Sequence, residues 1–398
     1  MTELAQRTVT LLPDPEPRAV ITPLISTDDH IVEPPEMFEG RVPAKMADDV
    51  PRVVERDGME YWLVEGNLTP SGGLNAVAGR PPSEWNGDPD RFQDIRPGCY
   101  QIEARIRDMD INGIYASLNF PSRLAGFGGT RFSEFKDQEV GLACVRAWND
   151  FHLEEWSKPY PDRIIPLQVP WLSDPALAAE EIRINAARGF KAVSFPEIPS
   201  NLKLPTLVSK HWDPFLAACA ETETVICLHT GSSSGMMTTM EAGSPGNLSV
   251  SLFPACSLVA AMNWVWSGVC TRFPDLKILM AEGGIGWVPM MLDRLDYMAN
   301  HAGLCFVEGW YDERAPAEVL ASQFYHAVFS DPSSLGARDR IGMDHITIEA
   351  DYPHADGTWP DSQQHFEDLL GELPRPDKER IAFRNAAKLF RHPLPDGY

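Results

Sequence analysis

Positive charge is scarce in this sequence: 34 lysines and arginines stand against 57 aspartates and glutamates, a net charge of −23 over 398 residues. Nucleic-acid binding needs clustered Lys and Arg along a phosphate backbone, and no such cluster is present. The same deficit argues against an anionic membrane surface as partner. Acidity of this size serves solubility and says little about a substrate. Paired cysteines are missing as well. Cys99, Cys144, Cys219, Cys227, Cys256, Cys270 and Cys305 are odd in number and scattered, with no C-x-x-C spacing. Several lie in apolar runs such as Val225-Ile226-Cys227-Leu228, which reads as free thiols buried in a reducing cytoplasm.

A secretory leader is not visible either. Met1 to Pro23 carries Arg7 and Arg18 but no apolar stretch of the needed length. Pro13, Pro15, Pro17 and Pro23 make it an extended arm. Leu252 to Cys270 is nearly free of charge and long enough to raise the question of a membrane span. Pro254, Asn263 and Gly268 interrupt it, so the expectation is a helix buried in the fold or against another chain, a second copy or a homologous subunit. Repeats, low-complexity tracts and linkers are absent, which leaves one domain over 24–398 behind an arm at 1–23.

What is present is an alternation. Short apolar, β-branched segments occur at Ile25 to His30, Ile114 to Pro121, Ile164 to Val169 and Ala192 to Pro196. Four more follow at Thr224 to His229, Leu276 to Glu282, Ala327 to Asp331 and His345 to Asp351. Helical periods lie between them, at Asp174 to Ala187, Val288 to Ala302 and Ser362 to Leu370. Eight strands alternating with helices close into a (β/α)8 TIM barrel. Residues 38–97, rich in Gly, Pro, Asp and Arg, break the rhythm. They read as an insertion after the first strand, with a hairpin near Tyr61 to Val64, folded as a lid over the barrel mouth.

Barrel active sites sit at the carboxyl ends of the strands. Five strand-end features carry metal-ligand chemistry. Alternation places Asp28 and His30 on one face of the first strand. His229 ends the fifth strand, and Glu282 leaves the sixth, where an unpaired buried carboxylate would be costly. Glu349 and Asp351 share a face of the eighth, and His354 follows in the loop. Divalent cations in catalytic sites take imidazole nitrogens and carboxylate oxygens in this way. Lys191 begins its strand at the far end, and His345 does likewise; both are expected to be structural. His152, His211, His301, His326, His365 and His392 carry no motif.

These residues, with the segments around them, resemble the amidohydrolase-related family typified by aminocarboxymuconate-semialdehyde decarboxylase. The tokens are Asp28-x-His30-x-x-Glu33-Pro34, Arg105-Ile106-Arg107-Asp108-Met109-Asp110, Gly189-Phe190-Lys191-Ala192-Val193 and His229. They continue with Arg272-Phe273-Pro274-Asp275-Leu276-Lys277, Leu292-Asp293-Arg294-Leu295-Asp296 and Asp351-Tyr352-Pro353-His354. The likeness runs from Ile25 to Arg391. It implies a barrel with one or two divalent metals, held at Asp28, His30, His229 and Asp351.

Two departures stand out. Asp28 replaces the first His of the family's usual His-x-His, and Glu282 replaces its usual sixth-strand His. With Asp351, and with Glu33 or Glu197 as further candidates, the site becomes rich in oxygen, which favours iron or manganese while leaving zinc open. A few relatives resemble oxygen-activating hydroxylases with two metals, among them an aminoisobutyrate hydroxylase. The first expectation is therefore an oxygenase that hydroxylates a small organic acid at a dinuclear centre of Asp28, His30, His229, Glu282, Asp351 and His354. The alternative is hydrolysis or non-oxidative decarboxylation at a metal-activated water, with Glu282 or His354 as general base. A metal-holding, non-catalytic partner subunit is the third reading.

Overall fold

The computed structural model describes residues 9–70, 76–85, 91–233, 241, 243–301, 310, 312–394 and 397. In chain order its strands are β1 (Leu24–His30), β2 (Arg52–Arg56), β3 (Met59–Val64), β4 (Asn67–Pro70) and β5 (Ile114–Phe120). Then come β6 (Ile164–Ile165), β7 (Leu167–Gln168), β8 (Ala192–Ser194), β9 (Val225–His229), β10 (Ile278–Ala281), β11 (Phe324–Val328) and β12 (Ile346–Ile348). The large sheet runs β6-β5-β1-β12-β11-β10-β9-β8-β7, and its pairings are parallel. Its two ends meet at Pro166. Proline has no N–H to give to a ladder, so one strand is split there. Pro166 still accepts at its carbonyl from the Lys191 N–H at 3.0 Å, and the halves on either side join β5 and β8. The sheet is thus an eight-stranded (β/α)8 barrel, as the alternation implies.

Helices cover the outer face, so both faces of the strands are buried and β9 and β10 are apolar throughout their interiors. The helix Pro175–Arg188 shows how the local sequence sets its ends. Asp174 Oδ1 accepts from the N–H groups of Ala176 and Leu177 at 2.9 and 3.1 Å, and Gly189, at φ 121°, ends it.

β11 begins three residues earlier than its apolar run suggests, at Phe324 instead of Ala327. The expected end, Asp331, lies in a turn whose carbonyl accepts from Ser334 N–H. His345 ends a short 3-10 turn, with Nδ1 2.9 Å from the Phe324 carbonyl, and is structural as expected. The uncharged stretch from Leu252 forms the helix Phe253–Trp266 and then breaks at Gly268, at φ 76°. Its own chain covers one side, where Ala260, Ala261, Trp264 and Val265 are buried, and Val259 is left exposed. No helix among the described residues is long and apolar enough to cross a membrane. Six cysteines, five of them buried, are free thiols; Cys305 lies outside the described residues.

Within 38–97 the hairpin gains a third strand: β2, β3 and β4 form an antiparallel sheet with Val53 opposite Trp62 and Val64 opposite Asn67. The segment is tied to the loop after β12, whose Pro353 carbonyl accepts from Val77 and Ala78 N–H at 3.0 and 3.1 Å. The N-terminal arm adds a second tie. Its Asp14 pairs with Arg96 at 2.8 Å, and Arg96 also binds Asp108 at 2.6 Å.

Candidate metal centre

β1 carries five consecutive polar residues, Ser26 to His30, into the interior, and all are buried. Each needs a partner, and most find one within the barrel wall. Thr27 Oγ1 meets Thr347 Oγ1 at 2.9 Å, and Asp29 Oδ1 accepts from Tyr352 N–H at 3.0 Å and Ser26 Oγ at 3.2 Å. Asp28 is different. It is fully buried, and neither of its carboxylate oxygens accepts a hydrogen bond.

The groups facing Asp28 are imidazoles and other carboxylates. His30 Nε2 is 3.4 Å from Asp28 Oδ1, and His229 Nε2 is 3.4 Å from Asp28 Oδ2. The two Nε2 atoms are 3.4 Å apart. Across the mouth, Asp351 Oδ1 stands 3.1 Å from His30 Nε2 and 2.8 Å from His354 Nδ1, and Glu282 Oε2 is 3.5 Å from His229 Nε2. Every expected ligand is therefore in one cluster. Asp28, His30 and His229 offer ligand atoms within 4.8 Å of one another, as do His30, Asp351 and His354. A third such group joins Glu282, Asp351, His354 and Asp356.

Backbone geometry delivers these side chains. Glu282 and Asp351, at φ 60° and 53°, both leave their strands in the left-handed region, which turns the carboxylates toward the barrel axis. Glu349 Oε2 accepts from Glu282 N–H at 2.9 Å, and Asp28 O accepts from Asp351 N–H at 2.8 Å. His229 Nδ1 lies 2.7 Å from the Thr230 carbonyl. That contact places the proton on Nδ1 and leaves the Nε2 lone pair facing Asp28. The His30 and His354 rings stack at 4.0 Å, and Phe127 stacks on His229 at 3.8 Å.

The electrostatics follow from burial. Burial, then His354, holds His30 down to about 4, and burial keeps His229 well below the usual histidine range. Both rings are neutral near pH 7. Burial, reinforced by Glu349, Asp351 and Glu282, pushes Asp28 far above the usual carboxylate range; burial and then Asp351 do the same to Glu282. Burial opposes the ionisation of Asp351, but His354 and His30 outweigh it and keep that carboxyl low. Lone pairs thus converge on Asp28, whose two carboxylate oxygens no donor satisfies, and ionising it there without a cation would cost several kcal/mol. The donor set fits a divalent cation.

Two expected contributors are elsewhere. Glu33 faces the loop after β5: Oε2 accepts from Ser122 Oγ at 2.6 Å, and Oε1 from the N–H groups of Ser122 and Ala125 at 3.0 and 3.4 Å. Both of its oxygens are taken up as acceptors, so it clamps that loop and adds nothing to the cation cluster. Glu197 Oε2 is likewise taken by Gly231 N–H at 3.0 Å, although Oε1 stays unpartnered and burial pushes the carboxyl up to about 8. Lys191 stands just before β8 at the opposite end of the barrel, where its ammonium lies near Arg391 and Glu223 and away from the cluster. Sequence reasoning missed Asp356, which has no periodic or motif signal, and did not see that Glu349 would hold the turn at Glu282.

The amidohydrolase family profile matches residues 77–392, most of the chain. The chain belongs to the amidohydrolase family. Among solved structures, an amidohydrolase from Mycobacterium avium subsp. paratuberculosis K-10 is 25% identical with a TM-score of 0.72, and the match covers 94% of this chain and 100% of that one. A 5-carboxyvanillate decarboxylase from Novosphingobium aromaticivorans, solved with manganese, is 19% identical with a TM-score of 0.65, covering 96% and 100%. A 2,6-dihydroxybenzoate decarboxylase from Rhizobium is 18% identical with a TM-score of 0.61, covering 93% and 99%. At these identities the two decarboxylases report on the amidohydrolase barrel itself.

Proposed function

We propose that this amidohydrolase is a metal-dependent enzyme that breaks a bond in a small carboxylated molecule without oxidation, by decarboxylation or hydrolysis. The observation that carries the reading is the clustering of Asp28, His30, His229 and Asp351, in which both oxygens of the buried Asp28 carboxylate accept no hydrogen bond and face neutral imidazoles. Manganese or iron suits that oxygen-rich set, and zinc is the alternative. Bound there, a divalent cation would polarise a substrate carboxylate and lower the pKa of a water beside it. Glu282 stands at the rim, partly exposed and next to His229, where it can give or accept a proton. His354, paired with Asp351 and almost wholly buried, is the second proton carrier. The manganese-containing and carboxylate-cleaving relatives support this chemistry over the oxygenase reading.

One observation favours the rival. Glu282, Asp351, His354 and Asp356 form a second donor group beside the first, as a pair of metal ions for dioxygen-dependent hydroxylation would need. Metal analysis of the purified protein, with carbon dioxide release and oxygen uptake followed over a panel of aromatic and aliphatic acids, separates the two. The expected result is turnover under nitrogen with carbon dioxide or a hydrolysis product formed. Substrate-linked oxygen consumption with two irons per chain would overturn it.

A further inference from the structure

The helix Ile102–Asn112 carries a fully buried cation, Arg105, up against the end of β1. Its Nε donates to the Gly98 carbonyl at 2.7 Å, and Nη2 donates to the carbonyl of His30. The guanidinium carbon lies 4.3 Å from the centroid of the Tyr352 ring and 5.3 Å from that of Trp156. Nη1 has no hydrogen-bond partner, and among the described residues no carboxylate forms an ion pair with this side chain. A buried charge held only by carbonyls and ring faces costs stability, and an apolar side chain of similar volume would often serve the fold as well. Fold stability alone is therefore a poor account of a guanidinium here.

What it offers is a shape that reaches two members of the cluster at once. The His30 carbonyl takes Arg105, and the His30 N–H donates to the Tyr352 carbonyl at 2.7 Å. Tyr352 directly follows Asp351, whose own N–H donates to the Asp28 carbonyl at 2.8 Å. The Tyr352 ring is pinned at its far end, where the hydroxyl donates to Asp108 Oδ2 at 2.6 Å. Asp108 lies one turn beyond Arg105, so the same helix face holds both the ring's face and its hydroxyl. Trp156 is pinned as well, through Nε1 to Asn119 Oδ1 at 2.6 Å. The end of β1 and the turn after β12 are thereby tied to one guanidinium, and His30 Nε2 meets Asp351 Oδ1 at 3.1 Å. A planar, forked donor can serve two carbonyls while stacking on a ring. An ammonium is a point charge on a flexible stem and cannot.

We infer that Arg105 is a positioning residue for the cation, fixing the His30 carbonyl and the Tyr352 ring together and so setting His30 against Asp351. The inference rests on that cluster holding the cation. The test is manganese titration followed by electron paramagnetic resonance, with urea midpoints measured with and without manganese. In Arg105→Lys manganese should bind about tenfold or more weakly, as when a group that orients a ligand is lost. The midpoint shift produced by a fixed manganese concentration should shrink with it. Arg163 provides the control, since its Nε and Nη2 hold the Tyr115 and Ile114 carbonyls at 2.6 and 3.1 Å, at the start of β5 and far from the strand ends that carry the cluster. Arg163→Lys should lower the metal-free midpoint and leave manganese affinity unchanged. If Arg105→Lys does not fold, Tyr352→Leu, which removes the stacked ring, carries the test in its place with the same weakening expected. Parent-like affinity in the variant that carries the test overturns the inference, whatever its metal-free midpoint. So does tighter binding, because the guanidinium charge would then be opposing the cation. An equal loss in Arg163→Lys also overturns it, since general loosening of the barrel would explain both. A parent protein that takes up no manganese would sink the cation reading itself, and this inference with it.

Discussion

His229 and Glu282 are neighbours in the cluster, but the chain holds them differently. His229 ends a fully buried strand, with its tautomer fixed by the Thr230 carbonyl and its ring packed against Phe120 and Phe127. His229→Ala should therefore lose most of its metal, by about 10–100-fold or more in affinity, while far-ultraviolet dichroism stays that of the parent. Glu282 is at the rim, mostly buried, and its backbone turn is held by Glu349. Glu282→Gln keeps the shape and the hydrogen-bonding capacity of the side chain but cannot accept a proton. With a single working cation, the expected outcome is full metal content and a loss of turnover of about 100-fold or more. A fall to half the parent's metal would mean that Glu282 is a ligand in a dinuclear centre. Full metal in His229→Ala would remove the β9 end from the site.

Between elements, the contact that joins the insertion to the barrel is narrow. Gly98 precedes the helix Ile102–Asn112, and its carbonyl accepts from Arg105 Nε at 2.7 Å. A methyl group there would lie 2.1 Å from Asp108 Oδ2 and 2.7 Å from the Tyr352 hydroxyl. Those two groups bond to each other at 2.6 Å, and Asp108 also holds Arg96. Gly98→Ala must push this network apart, and overpacking of that kind costs about 1–3 kcal/mol. The denaturant midpoint should fall accordingly, whereas Gly336→Ala, with open space around its Cα, should leave it unchanged. Equal midpoints for the two would mean that the network gives way freely. The element scale also shows where reading from sequence stops. Asp28 and His30 were paired by alternation alone, and they do meet. The apolar run sets the start of β11 three residues late, because both faces of a barrel strand are buried and such a run marks that a strand exists without marking where it begins.

For the molecule as a whole, two histidines outside the site govern behaviour in acid. His152, stacked on Trp148, and His326, edge-on to Trp287, are each held down to about 3 by burial. In the unfolded chain both would titrate near the ordinary value of about 6.5. Below that pH the unfolded state binds more protons than the folded one, so their contribution is fully present above about pH 6.5 and declines as pH falls toward 3. By pH 5 each should have cost about 2 kcal/mol. Urea midpoints measured from pH 7 to 5 on metal-loaded protein should drop more steeply for the parent than for His326→Asn. Identical slopes would show that His326 is protonated in the folded state.

By itself the sequence determined the class of the molecule and the cast of its site. Eight apolar segments alternating with helices specify a barrel, and His, Asp and Glu at the carboxyl ends of those strands specify a cation, because both follow from short-range periodicity along the chain. It could not say how the carboxylates divide their work. Glu33 and Glu197 stand as near the strand ends in sequence as Asp351 does, yet hydrogen bonds from Ser122, Ala125 and Gly231 occupy them while Asp28 and Asp351 are left facing the imidazoles. Asp356 joins the cluster from a loop, and Phe127 stacks on His229 from the loop after β5. Those relations depend on donors and walls brought from distant parts of the chain. Closure of the barrel supplies them, and a one-dimensional pattern does not encode them.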